Sequence, residues 1–227
     1  MKTRRWTTLS AVVLVGLFSG CTTPLTFDVQ PTRMPPTSAK GFVKIVEVRD
    51  NRRFEVAPKD PYMPSLQNSE AVKSGAIRSR AIGRQRDGYG LAFGNVLLPE
   101  GRTVELVVRE AVTKALAELG YAVVEASSPQ IEKALPMHID IEQFWAWYTP
   151  RSPFLGVGSV EFRGVLALKA EALTGRREVI ASGYAIGKGV PSAAAELPST
   201  GSEWRDVVVA GIDDLVTNLK AMIRPAH

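Results

Sequence analysis

TVELVVREAVTKALAELGYAVVE, residues 103–125, decides the fold class of this chain. Val104, Val107, Val108, Ala111, Val112, Ala115, Leu116 and Leu119 recur at intervals of three and four, which puts apolar side chains along one stripe of a helix. Thr103 stands where a side-chain oxygen caps the first turn, and Gly120 where a left-handed residue ends the last one. The period then changes, and Tyr121 to Glu125 reads as a short strand.

Working back from that helix, Phe42 to Val48 is rich in β-branched residues and is followed by the turn-forming Arg49-Asp50-Asn51, so it reads as a strand. Strand, helix and strand in this order predict a parallel crossover if the two strands are neighbours. From residue 49 to 69 the chain is polar and broken by Pro58, Pro61 and Pro64, a long loop that is either functional or disordered. Between residues 78 and 98, Asp87-Gly88 separates two strand-like runs and predicts a hairpin. Gly83, Gly88, Gly90 and Gly94 fit neither the dinucleotide fingerprint nor the P-loop, and read as hairpin glycines. Arg78, Arg80, Arg84 and Arg86 fall on even positions, so in a strand they share one face. That face suits an acidic partner or lipid phosphates, or is simply solvated.

Working forward, Met137, Ile139 and Ile141 alternate with His138, Asp140 and Glu142, a half-buried strand that runs into Phe144-Trp145-Ala146-Trp147-Tyr148. A loop, TPRSPFLGVGS, follows it. Two more strands, near 160–173 and 178–186 with Thr174-Gly175 turning between them, complete an antiparallel meander. Ser202 to Ile223 carries Trp204, Val208, Ile212, Leu215, Leu219 and Met222 at helical spacing. Thr200 and Glu203 have the capping-box interval before it. The expected class is α+β: a mixed, largely antiparallel sheet with two amphipathic helices packed on one face, a two-layer sandwich.

The start of the chain has another logic. Lys2, Arg4 and Arg5 precede an apolar run from about Thr7 to Gly20, the layout of a secretory signal and too short to cross a bilayer core. Ser19-Gly20 then abut Cys21, the one cysteine in 227 residues. The end of LFSGC resembles a bacterial lipobox, with Phe18 where leucine is usual. On this reading residues 1–20 are removed, Cys21 carries lipid, residues 21–40 form a proline-containing tether, and residues 41–225 form one periplasmic domain. Leu25, Phe27 and Val29 alternate, so part of the tether is able to dock as an edge strand. Two or more acyl chains anchor durably, at ~0.8 kcal/mol per buried CH₂. Loss of residues 1–20 removes Lys2, Arg4 and Arg5 and lowers the net charge from +5 to +2, which gives no argument for a nucleic-acid partner.

Chemistry-bearing residues are few. His138 and the terminal His227 are the two histidines. No thiol nucleophile is left once Cys21 is acylated. His138, Asp140 and Glu142 offer nitrogen and oxygen ligands, but residues two apart on a strand lie ~6.6 Å apart and do not converge on one ion. No metal, cofactor or catalytic residue is therefore expected. Trp145, Trp147, Tyr148 and Phe154 either pack between helix and sheet or form an exposed apolar tip for a partner or a membrane interface. Arg80 and Arg84 are the other candidate partner-binding residues.

The anchor, the tether, Val48-Arg49-Asp50-Asn51-Arg52 after the first strand, the helix ending in Leu119-Gly120-Tyr121 and the terminal helix together resemble the YajG-type family of bacterial lipoproteins. The resemblance implies a periplasmic domain with a mixed sheet and two helices, similar in shape to auxiliary lipoproteins of transport systems and the amino-terminal domain of TolB. It supplies no catalytic residues. It also implies sorting to the outer membrane, because Thr22 follows the cysteine in place of aspartate. The expected function is a non-enzymatic adaptor or accessory subunit in a cell-envelope protein complex, held to the membrane by N-terminal acyl chains. The alternative is an auxiliary lipoprotein that binds a lipid or other amphiphile for a transport system.

Overall fold

The structure, a computed structural model, describes residues 25–29, 39–66, 75, 77–86, 91–152, 157–187, 190–191 and 201–223. Cys21, Phe154, the Asp87-Gly88 turn and Thr200 lie outside the described residues. The strands are β1 (Leu25–Thr26), β2 (Gly41–Asp50), β3 (Ala81–Arg86), β4 (Ala92–Leu97), β5 (Tyr121–Val123), β6 (Leu135–Ser152), β7 (Val157–Lys169), β8 (Val179–Ile186) and β9 (Val190–Pro191). The helices are α1 (Val104–Glu118), a single turn α2 (Glu171–Thr174), and α3 (Gly201–Met222). The class is α+β, as the periodicities predict.

These nine strands join one mixed sheet, organised around β6. Antiparallel β7 lines one edge of β6 from His138–Lys169 to Ser152–Val157. The other edge is shared by two parallel partners. β2 takes the first half, ending at Asp50–Ile141, and β3 resumes at Gly83–Ala146. β5 pairs in parallel with β2, whereas β4, the strand directly before α1, lies at the other end of the sheet, so the two strands that flank α1 are not neighbours and form no simple crossover. β3 and β4 form the expected hairpin, and β6, β7 and β8 the expected meander.

Both long helices cover one face. In α1, the Thr103 hydroxyl accepts from the Leu106 amide at 3.3 Å, and Gly120 takes φ +86° just past the end. Its buried stripe runs through Val104, Val108, Val112 and Leu116. Each such side chain contributes roughly 1.5–3 kcal/mol when fully removed from water. In α3 the buried stripe is Trp204, Val208, Ile212, Leu215 and Leu219, then Ile223. Met222, expected on that stripe, is exposed, because the inward position falls one residue later as the helix ends. The helices are tied to each other by ion pairs from Lys114 to Asp213, at 2.8 Å, and from Lys220 to Glu118.

Residues 25–29, within the stretch read as a tether, dock on the domain. Leu25 and Thr26 pair in parallel with Val96 and Leu97, and Phe27 and Val29 are buried in the core. Arg102 holds this segment, donating to the Val29 carbonyl at 3.0 Å and to Asp28 at 3.2 Å while forking onto both oxygens of Glu110 at 2.9 Å. A guanidinium in that position joins the start of α1 to the segment beside β4.

Three local expectations are corrected. The loop expected after Tyr148 is strand through Ser152, with Pro150 at an irregularity opposite Gly158. A proline is tolerated where the ladder is already broken. The strand expected to reach Leu173 stops at Lys169, and Glu171–Thr174 coils into one helical turn ended by Gly175. The loop expected from residue 49 begins at residue 51, because β2 runs on through Asp50, and residues 51–66 lie over the sheet face that the helices leave open, with Glu55 and Ser65 bridged.

Candidate functional site

The face opposite the helices holds the candidate chemistry, and three neighbouring zones divide it. The first lies where β2 gives way to β3. No described strand pairs this edge of β6 between Ile141 and Ala146, so its backbone groups need other partners. Asn51 N–H donates to the Ile141 carbonyl at 3.0 Å. Arg52, fully buried, closes the rest: Nη1 donates to the carbonyls of Ala81 at 2.6 Å and Phe144 at 3.1 Å, and Nη2 to that of Arg78 at 3.0 Å. Nε and Nη2 fork onto Asp50 at 2.7 Å each. All five guanidinium hydrogens thus meet an oxygen, the condition under which burying this cation is sustainable.

Arg78 returns the contact by donating to the Arg52 carbonyl at 2.6 Å, and both guanidinium groups lie about 5 Å from the Phe54 ring centre. Phe54 meets Trp145 edge to face at 5.8 Å, and Tyr62 meets Trp147 at 6.3 Å. Asp50-Asn51-Arg52 is therefore a splice in the sheet.

Of the two aromatic alternatives, packing and an exposed tip, the described residues follow packing. Trp145, Trp147 and Tyr148 are all buried and form no exposed tip. They also do not share one environment. Trp145 and Trp147 lie under residues 51–66 with Leu66, Ala81 and Leu97, whereas Tyr148 points into the helix-covered core. The arginine expectation is corrected. Arg78 and Arg80 belong to a 3₁₀ turn, so the strand period does not apply to them, and Arg80 Nε donates to the Leu98 carbonyl at 2.9 Å. Arg84 does lie in β3, but it is buried.

The second zone is a charged groove of about 680 Å³ lined by Pro136, His138, Lys169, Glu171, Arg177 and Glu178. Lys169 pairs with Asp140 at 2.6 Å and Glu178 at 3.7 Å, and Arg49 with Glu47 at 2.6 Å. Hydrogen bonding to Asp140 raises the Lys169 pKa, and that to Arg49 lowers the Glu47 pKa. Glu142 does not join His138 and Asp140, because an irregularity between Ile141 and Gln143 breaks the alternation there. Among the described residues no group of three His, Cys, Asp or Glu side chains is placed to hold a metal ion.

The third zone is one row across five strands: Asn95, Arg84, Trp147, Glu161 and Ile186. At its open end, Tyr184 donates its hydroxyl to Glu161 at 2.7 Å. Burial first, then that hydrogen bond, pushes the Tyr184 pKa up to about 12. Ile180, Tyr184 and Ile186 are 60%, 47% and 47% exposed and alternate along β8. The sequence alone does not single out this strip, because its alternation reads only as one more strand of the meander.

No protein-family model and no curated protein matches this chain. Among solved structures it is similar to a protein described only as uncharacterized, with 13% identity and a TM-score of 0.44, over 89% of this chain and 100% of that one. The functional reading accordingly rests on this chain's own residues.

Proposed function

We propose that this protein is a non-enzymatic, lipid-anchored accessory subunit of a cell-envelope complex, facing the periplasm from the outer membrane. The observation that carries the proposal is the order of residues 2–21: a basic start, a short apolar run, two small residues and the chain's one cysteine. Acylation at Cys21 gives that lone thiol a purpose in an oxidising compartment, where it has no internal disulfide partner. The resemblance to YajG-type lipoproteins agrees with the same reading. The alternating apolar strip of Ile180, Tyr184 and Ile186, exposed beside Glu161 and Arg163, supports a protein contact on the uncovered half of the sheet.

The test has two parts. Cells fed radioactive palmitate are expected to label the wild type and not Cys21→Ala, and density fractionation is expected to place only the wild type with outer membranes. Equal label in both proteins refutes the anchor. A photo-crosslinking residue at position 180 or 186 is expected to capture one reproducible envelope protein. Capture of lipid alone favours the amphiphile-binding alternative.

A further inference from the structure

Residues 25–29 belong to the body of the domain. Leu25 and Thr26 extend the sheet beside Val96 and Leu97, and the Phe27 amide donates to the Leu97 carbonyl at 3.3 Å. Phe27 and Val29 are buried, and Arg102 holds both Asp28 and the Val29 carbonyl. Releasing this segment would break all of these contacts together, so the free length behind the domain is counted from Leu25 and not from Gly41.

Covalent geometry then fixes the reach. Four Cα-to-Cα steps separate Cys21 from Leu25, and fully extended they span no more than about 14 Å. Counted from Gly41, twenty steps would allow roughly 70 Å. Acyl chains on Cys21 enter the bilayer at that residue, so the sheet edge that carries Leu25 is kept close to the lipid headgroups. The direction of β1 says which end of the edge comes nearest. β1 is parallel to β4, so followed backward from Leu25 it leads along β4 from Val96 towards Ala92. Leu91 stands just before Ala92 and is 70% exposed, the most of any large apolar side chain among the described residues. An apolar side chain in that place suits the boundary between headgroups and acyl chains. The other edge of the sheet is remote. The path from β1 to β8 runs through β4, β3, β6 and β7, five spacings of ~4.8 Å or about 24 Å along the sheet.

We propose that the domain stands on the bilayer by its β1 edge, with the Leu91 end of the β3–β4 hairpin against lipid and the strip of Ile180, Tyr184 and Ile186 turned to the periplasm. This inference rests on acylation at Cys21 and gives the anchored domain a fixed membrane-facing surface.

The experiment uses the full chain, lipidated in cells and reconstituted into vesicles of phosphatidylethanolamine and phosphatidylglycerol. Acylation occupies the native thiol, so Leu91→Cys and Ile180→Cys each offer one site for an environment-sensitive fluorophore. Both side chains are exposed, and the probes replace no core contact. Doxyl-labelled phosphatidylcholine added to the vesicles is expected to remove most of the emission at position 91 and none at position 180. A third protein carries Leu91→Cys and, between Pro24 and Leu25, a Gly/Ser linker of about 20 residues with a root-mean-square reach of about 25 Å. It is expected to keep its acyl chains and lose the quenching. Acylation is read separately, from the mass of the amino-terminal peptide. An acylated protein without quenching at position 91 overturns the orientation and leaves the anchor standing. Equal quenching at position 180, the result for a sheet lying flat, overturns it as well, as does quenching that survives the linker. A chain without acyl groups removes the anchor, and this orientation with it.

Discussion

Nη1 of Arg52 lies 3.1 Å from the carbonyl oxygen of Phe144, a residue 92 positions away, in the stretch of the β6 edge that neither β2 nor β3 pairs. A side chain there completes a backbone ladder. Replacing Arg52 by Met strands the carbonyls of Ala81, Arg78 and Phe144 and leaves the Asp50 carboxylate without its partner. Arg52→Met is expected to cost ~3–5 kcal/mol in urea unfolding. Arg52→Lys is expected to recover little of that, because an ammonium has three donors and no planar fork. A loss below about 1 kcal/mol for Arg52→Met contradicts the splice.

Helix α3 sits on the sheet through glycine. A Cβ at Gly183 would come 2.3 Å from the Gly211 carbonyl and 2.6 Å from the Leu215 Cβ, and one at Gly211 2.2 Å from the Phe162 ring. Gly183→Ala is expected to destabilise by ~1–3 kcal/mol through displacement of the helix. Gly164→Ala is the control. Its Cβ meets nothing closer than 3.4 Å, so it is expected to be neutral or to stabilise by up to ~0.5 kcal/mol.

The outer edge of β8 is capped by α3. Asp214 accepts the Tyr184 amide hydrogen at 3.0 Å, and Asn218 donates to the Ser182 carbonyl at 2.7 Å. Exposed strand edges template pairing with other chains. Asp214→Ala with Asn218→Ala is expected to give concentration-dependent association in sedimentation velocity, beyond any shown by the parent chain. Unchanged sedimentation across a wide concentration range removes this role.

Tyr184 supplies a spectroscopic prediction. Of five tyrosines, it is expected to ionise near pH 12 by phenolate absorbance, and that step is expected to vanish in Tyr184→Phe. The folded pKa lies above the unfolded value of about 10, so the folded state holds the proton more tightly. The resulting stabilisation is complete below about pH 10 and is lost as pH rises from there towards 12. Ionisation of this residue at an ordinary pH of about 10 would refute the Glu161 contact.

The legible parts of the fold are those with one buried face. Helix α1 has a single apolar stripe and two clear end signals, and its limits are read to within a residue. The β6 region is harder because it is buried on both sides: Trp145 and Trp147 face residues 51–66, while Phe144 and Tyr148 face the helices. Alternation of apolar with polar residues, the usual mark of a strand, disappears when both faces are covered. The covering segment has a polar, proline-broken composition, so nothing in it announces a lid over tryptophan. Arg52 reads as a turn residue for the same reason, since its partners are carbonyls of Arg78, Ala81 and Phe144 that carry no side-chain signature. Spacing singles out Arg84, but only the sheet register places it between Asn95 and Trp147.

The double partnership of β6 also dictates an order of events. β2 and β3 both precede β6 in the chain, and neither takes its place beside that strand until residues 135–152 are available. Contacts of such long sequence separation form late, because the loop between them must close first. Before residues 135–152 are available, β2 with β5 and the β3–β4 hairpin share no strand ladder and are linked through the Arg52 and Arg78 side chains. The sheet is therefore complete only once the central strand has been made.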